Sequence, residues 1–237
     1  MNKYALLLSC LLIGPGLLHS QHMTGIAKEN PVLKVSMLPM LHIDNAFVLA
    51  GEIPFSKGRF SLQPEIGYGA TASNIWYEPW TPDESPDKNT VRSKLQFRSY
   101  YKDWAVFRAY YGGEYAYRHS TYRQSGLDGN DNSPAVLPAI RLRRTTHAMH
   151  GLLGWQGYFN NRLSIDFHAG FGLRMAENSA LTNGLSNEEL DKIRFDERDW
   201  FRRSKRIGSY GPYPDVFFAV QLGFILGKLN GDLPSKR

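Results

Sequence analysis

Cysteine is nearly absent: the 237-residue chain holds one, Cys10, inside an N-terminal apolar stretch. A disulfide framework is excluded, and a cysteine-built zinc site or thiol chemistry is not expected downstream. Long apolar runs are missing too. Beyond the first twenty residues nothing approaches the ~18 consecutive apolar residues of a spanning helix, and the mean hydropathy is −0.39. That argues against a helical membrane protein. It leaves a β-barrel open, because barrel strands are apolar only at alternate positions. Charge of one sign is in mild excess, 28 Lys and Arg against 22 Asp and Glu. What the chain does have is aromatic side chains, 13%, and 22 glycines, a composition that suits tightly turning strands better than a helical bundle.

The first twenty residues address the chain. Lys3 provides a positive start, Ala5 to Ile13 an apolar core, Gly14-Pro15-Gly16 a break, and Leu18-His19-Ser20 a small-residue end. This is the layout of a Sec-dependent signal peptide, with cleavage expected between Ser20 and Gln21. Cleavage would remove Cys10 and Lys3, leaving 27 basic side chains of the original 28 against 22 acidic ones. In an exported protein that excess points to anionic lipid head groups sooner than to nucleic acid, and no nucleic-acid partner is expected.

Downstream, period-two alternation recurs in eight segments. Leu33, Val35, Met37, Leu41 and Ile43 oppose Lys34, Ser36 and His42; Phe47, Leu49 and Ile53 oppose Glu52. Phe60, Leu62, Ile66 and Tyr68 oppose Ser61, Gln63, Glu65 and Gly67. Val91, Leu95, Phe97 and Tyr101 alternate with Arg92, Lys94, Gln96, Arg98 and Tyr100. Phe107, Ala109, Tyr111, Tyr115 and Tyr117 alternate with Arg108, Tyr110, Gly112, Glu114 and Arg118. A weaker sixth segment sets Met149, Leu153 and Trp155 against His150, Gly154 and Gln156. The seventh carries Leu163, Ile165, Phe167, Ala169, Phe171 and Leu173 against Ser164, Asp166, His168, Gly170 and Arg174. The eighth carries Val216, Phe218, Val220, Leu222, Phe224 and Leu226 against Ala219, Gln221 and Gly223.

The links alternate as well. Ser56-Lys57-Gly58-Arg59, Lys102-Asp103-Trp104 and Asn160-Asn161-Arg162 read as hairpin turns, whereas 70–90, 120–144 and 175–212 read as long polar loops. Short turns on one side and long loops on the other describe an outer-membrane barrel. The expected fold is therefore all-β, an eight-stranded antiparallel up-and-down transmembrane barrel. The expected division is a signal peptide over 1–20, an N-terminal periplasmic segment over 21–31, the barrel over 32–229 and a C-terminal tail over 230–237. One short helix is expected in the last external loop, where Ser186-Asn187-Glu188-Glu189 has the form of a capping box.

A charged group facing lipid at mid-membrane costs about 2–4 kcal/mol. Lys34, Glu52, Glu65, Arg92, Lys94, Arg98, Arg108, Glu114, Asp166 and Arg174 are accordingly expected to face a narrow, filled interior as a charge network. The main rival is a soluble lipocalin-like barrel with its apolar face inward, which alternation alone does not exclude.

Leu33-Lys34-Val35, Arg59-Phe60-Ser61-Leu62-Gln63, Val91-Arg92-Ser93-Lys94-Leu95 and the run from Arg162 to Arg174 carry a family resemblance. The chain resembles the short outer-membrane barrels catalogued as domain of unknown function 3575, over about residues 32–227. The resemblance implies a barrel in the outer membrane and no assigned activity. The chain departs from the pattern by running on to Lys236-Arg237 instead of closing on a terminal aromatic.

Three constellations invite chemistry. His150, Asp166 and His168 could meet across segments six and seven as a metal or general-base site, but a hydrogen-bonded interior network is the preferred account, since buried polar groups need partners anyway. Arg118-His119-Ser120-Thr121 offers a histidine and a hydroxyl without an orienting acid, too little for a catalytic triad. Asp128, Asn130 and Asn132 open like a calcium loop, yet Ala139 stands where its glutamate belongs. No catalytic, cofactor or metal residue is therefore expected. Arg141, Arg143 and Arg144 in one long loop, with Arg202, Arg203, Lys205 and Arg206 in another, form basic clusters suited to lipopolysaccharide phosphates. The expected role is non-enzymatic, structural or surface-interacting, with outer-membrane lipid and lipopolysaccharide, the barrel-assembly machinery and a surface protein as partners. A narrow pore or small-ligand conduit and a lipid-modifying enzyme are the alternatives.

Overall fold

The computed structural model describes residues 28–36, 46–70, 89–104, 106–127, 136–159, 162–181 and 207–227. Eight strands follow in chain order: β1 (Val32–Ser36), β2 (Ala46–Phe55), β3 (Phe60–Ala70), β4 (Asn89–Asp103), β5 (Phe107–Leu127), β6 (Val136–Phe159), β7 (Leu163–Ala180) and β8 (Gly208–Ile225). Each pairs antiparallel with the next, and β1 closes the ring against β8 with Val32 opposite Ile225 and Lys34 opposite Gly223. The fold is an all-β, up-and-down closed barrel. Closure matters physically: it joins β1 to β8, the two edges that an open sheet would leave exposed.

The burial pattern inverts that of a water-soluble globule. Along β3 it alternates without a break from Ser61 to Gly69, with Ser61, Gln63 and Glu65 buried and Leu62, Ile66 and Tyr68 exposed. Ile66, Met149, Phe171 and Phe218 are 66–73% exposed, while Lys34, Arg98 and Asp166 are wholly buried. Alternation fixes which residues share a face; through most of the barrel the charged set turns inward, whereas at the far end of β6 Ile140 and Leu142 face in and Arg141 faces out.

Short turns gather at one end, called here the turn end. At Ser56–Arg59 three successive residues adopt positive φ, Ser56 at 50°, Lys57 at 57° and Gly58 at 75°, and Arg59 N donates to Ser56 O at 3.2 Å. A side chain at Gly58 would come within 2.6 Å of the Lys28 carbonyl, so glycine is required there both for φ and for space. Asp103 ties this end together, accepting from Lys28 Nζ at 2.7 Å and Arg108 Nε at 2.8 Å. Arg108 also donates to the Gly58 carbonyl, linking two turns.

The far end differs from the sequence reading in one respect. Most of 120–144, expected as loop, is a continuation of the β5–β6 hairpin, which stays paired from His119–Thr145 out to Leu127–Val136. Likewise β7 continues to Ala180 and β8 begins at Gly208, inside the expected loop 175–212. In these stretches the alternation is short or reversed, with Ile140 and Leu142 inward beside outward Arg141, so it does not mark them; ladder pairing with the neighbouring strand holds them extended. The expected helix after Ser186 lies outside the described residues, as do the segment boundaries at 20–21 and 230.

Candidate functional site

The interior is layered. Nearest the turn end, the Tyr100 hydroxyl donates to Glu52 and lies 2.6 Å from Gln156 Oε1, while Gln156 Nε2 donates to Glu52 Oε2 at 2.9 Å. The Arg108 guanidinium lies over the Tyr100 ring, 3.7 Å from its centroid. One step deeper, Asp166 from β7 is the hub. Lys34 Nζ donates to Asp166 Oδ2 at 2.5 Å, Arg98 Nη1 bonds the same oxygen, and the Tyr110 hydroxyl donates to Oδ1 at 2.7 Å. His168 Nδ1 lies 3.3 Å from Oδ1. A carboxylate offers about four acceptor positions, and here all are claimed. Lys34 also meets Glu52 Oε2 at 2.7 Å, so two cations and two anions interlock across four strands.

Glutamines build the next layer. Gln63, Gln96 and Gln221 all donate to Glu65 Oε1, at 2.8, 2.9 and 3.0 Å. Gln96 Nε2 further reaches Glu114 Oε2 at 2.7 Å, and its carbonyl oxygen accepts from Arg98 Nε at 2.9 Å. Above this, Glu114 meets Lys94 at 3.1 Å and His150 Nδ1 at 3.2 Å, and His150 Nε2 reaches Asp215 at 3.1 Å. Arg174 stands 3.7 Å from the same aspartate.

Small residues opposite large ones make this filling fit. A Cβ at Gly154 would enter the Tyr110 ring, and one at Gly170 the Phe217 ring. The two glycines are indentations in the wall that receive aromatic side chains from across or beside them.

The sequence-predicted interior charges therefore fall into groups. Lys34, Glu52, Arg98 and Asp166 form one cluster; Lys94 and Glu114 form another with His150. Glu65 is held by amides, Arg108 belongs to the turn end, and Arg92 and Arg174 line a cavity beyond. His150, Asp166 and His168 do not converge: His150 is bound to Glu114 and Asp215, and only His168 contacts Asp166. Among the described residues no group of three His, Cys, Asp or Glu is arranged to hold a metal ion. His119 bonds Thr145 while Ser120 bonds Thr90, two residues adjacent on β5 and so on opposite faces of the barrel wall. They cannot form a hydroxyl–imidazole dyad.

The expected lipid-facing arginines separate too. Arg141 is exposed and Arg143 donates to Ser179 at 3.0 Å, but Arg144 is an inward, buried residue of β6 rather than part of a loop. Arg202, Arg203, Lys205, Arg206 and the segment with Asp128, Asn130 and Asn132 lie outside the described residues.

Sequence reasoning by charge alone missed the neutral members of the network. Tyr100, Tyr110 and the four glutamines sit on the polar face of their segments, which was visible; that they carry the connections between charges was not. Asp215 falls one residue before the apolar alternation of β8 becomes recognisable. Comparison with protein-family models, characterised proteins and solved structures finds no match to this chain.

Proposed function

We propose that the chain is a non-enzymatic β-barrel of the Gram-negative outer membrane, with a structural or surface-interaction role carried at its far end. The observation that carries this reading is the inside-out distribution of polarity. A closed ring presents Leu62, Ile66, Leu95, Leu153, Phe167, Phe218 and Leu222 outward while burying Lys34, Arg98 and Asp166. In water that arrangement exposes an apolar belt and desolvates charges, both unfavourable. In a bilayer the same arrangement is the favourable one, because a closed ring pairs neighbouring strands all the way round and the charges avoid hydrocarbon. A lipocalin-like barrel would have the opposite distribution.

Aromatic side chains concentrate outward near the turn end. Phe55, Phe60 and Phe97 pack with ring centroids 5.8–6.3 Å apart, Tyr101 and Tyr111 pair at 6.0 Å, and Trp104 is exposed at the same end. Amphipathic rings of this kind favour the head-group level. The 24 residues of β6 span roughly 80 Å at about 3.3 Å each, well beyond a tilted crossing of a ~30 Å core. The β5–β6 hairpin thus has length to stand clear of the membrane, with Arg141 outward on it. The wholly buried Lys34–Arg98–Asp166 layer argues against an open ion pore. The N-terminal signal-peptide pattern, with its Ser20–Gln21 junction, supports export from the cytoplasm. Delivery then requires the Sec route and the barrel-assembly machinery, and the outward basic residues would meet lipopolysaccharide or a surface protein.

The test is partitioning. The full chain expressed with its N-terminal segment should fractionate with the outer membrane, resist carbonate extraction and need detergent to stay monodisperse. A stable, monodisperse preparation in aqueous buffer without detergent refutes the proposal.

A further inference from the structure

Beyond the glutamine layer the interior is no longer filled. A cavity of about 260 Å³ lies there, with Phe217 against its base and Lys94 Nζ 4.3 Å from the centre of that ring. Arg92, Arg118 and Arg174 line its wall, and Arg144 follows on the inner face of β6, opposite Ser120 and Asn178.

The placement of these arginines is unusual. Arg92 and Arg118 are direct register partners on β4 and β5. Like charges directly opposite one another destabilise a strand pair. Arg144 in turn has Arg118 and Arg174 as like-charged neighbours. Three carboxylates share the lining: Glu65 is held by the glutamines, Glu114 by Lys94 and His150, and Asp215 lies 3.1 Å from His150 and 3.7 Å from Arg174. The arginines do make contacts with the surrounding protein; the feature is their concentration, not a vacancy. Gly67 on β3 makes it feasible, since a Cβ there would come within 2.8 Å of Arg92 Cγ and push its stem out of the interior.

A second observation is independent of charge. Thr146, the register partner of Arg118 on β6, is 5% exposed and lines the cavity. Its Oγ1 is buried without a hydrogen-bond partner among the described residues. A buried hydroxyl left unbonded costs about 1–3 kcal/mol, so a ligand accepting from it or donating to it is favoured.

We propose that this cavity binds a phosphate-bearing ligand, gripped by Arg92, Arg118, Arg144 and Arg174 and hydrogen-bonded by Thr146. Planar guanidinium forks match the oxygens of phosphate in pairs, which a field of point charges would not. The volume lies below the roughly 300–1,000 Å³ of sites for drug-sized molecules. The ligand is therefore inorganic phosphate, or a phosphate group on a short organic residue or lipid head group. The inference needs only the barrel interior and stands apart from the membrane reading.

The experiment is thermal unfolding of the full processed chain in zwitterionic detergent, with sodium phosphate titrated against sodium chloride at matched ionic strength. Binding to the folded state raises the melting temperature saturably with ligand. Phosphate should do so and chloride should not. R92Q/R118Q should weaken the phosphate response at least tenfold. T146V should weaken it about threefold, R118K several-fold despite its conserved charge, and R141Q, on the outer face, not at all. Dilute phosphatidylglycerol acting in place of free phosphate, with its effect lost in R92Q/R118Q, supports the site and assigns a lipid head group as its source. Equal stabilisation by phosphate and chloride overturns the proposal. So does an undiminished phosphate response in folded R92Q/R118Q or, should that variant not fold, in both T146V and R118K.

Discussion

Asp166→Asn tests whether the interior is held by a balanced charge cluster. The substitution preserves size and removes one negative charge from a site with no exposure. Three of its four partners are donors, Lys34 and Arg98 on one oxygen and Tyr110 on the other, with His168 Nδ1 3.3 Å from the latter oxygen. An asparagine amide would have to aim N–H at N–H or O–H on one side. Lys34 would keep Glu52 at 2.7 Å, and Arg98 would keep the Gln96 carbonyl oxygen at 2.9 Å. Two buried cations would then share one carboxylate in place of two. Breaking a buried pair by removing one member costs about 3–5 kcal/mol. The retained Glu52 and the relieved desolvation of Asp166 place the expected loss near the lower bound, about 3 kcal/mol. The assay is equilibrium urea unfolding of the chain folded in detergent micelles, followed by tryptophan fluorescence. The companion variant Lys34→Met with Asp166→Asn removes one charge of each sign and leaves Arg98 with Glu52. It should recover at least ~1 kcal/mol relative to the sum of the single changes. A loss below ~1 kcal/mol for Asp166→Asn, or strict additivity in the pair, would refute the balanced-cluster argument.

Two further outcomes follow from the same geometry. Gly154→Val drives a side chain into the Tyr110 ring and should destabilise by about 1–3 kcal/mol, whereas Gly151→Ala on the same strand meets nothing closer than 3.8 Å and should be tolerated, both read by urea midpoint. Phe218→Arg replaces the most exposed outward aromatic, 73% accessible; it should cost about 2–4 kcal/mol in phospholipid vesicles if that face meets lipid, and an unchanged midpoint there would count against the membrane reading.

Residue order by itself determined the faces. Period-two alternation needs no tertiary information, because consecutive Cβ atoms in an extended chain point to opposite sides. Glu65 beside Ile66, or Asp166 between Ile165 and Phe167, could be sorted at once. The Ser56–Arg59 turn was equally legible, since few residues besides glycine accept its backbone at Gly58. Strand ends were not legible where polar residues run on. Arg143 and Arg144 look like loop, and only pairing with Ser120 and Thr121 across the hairpin makes them strand.

What only the tertiary structure decided is which side faces in, and which inward residues meet. Alternation is symmetric: the same pattern builds a barrel with an apolar or a polar interior, and the burial of Lys34, Arg98 and Asp166 inside the ring resolves it. Lys34 and Asp166 are 132 positions apart and acquire their contact only through the pairing of β1 with β8 and β8 with β7. The same cross-strand register sets Arg92 against Arg118 and Thr146 beside them. No local property of the chain encodes those juxtapositions, because each is fixed by hydrogen-bonded register between strands distant in sequence.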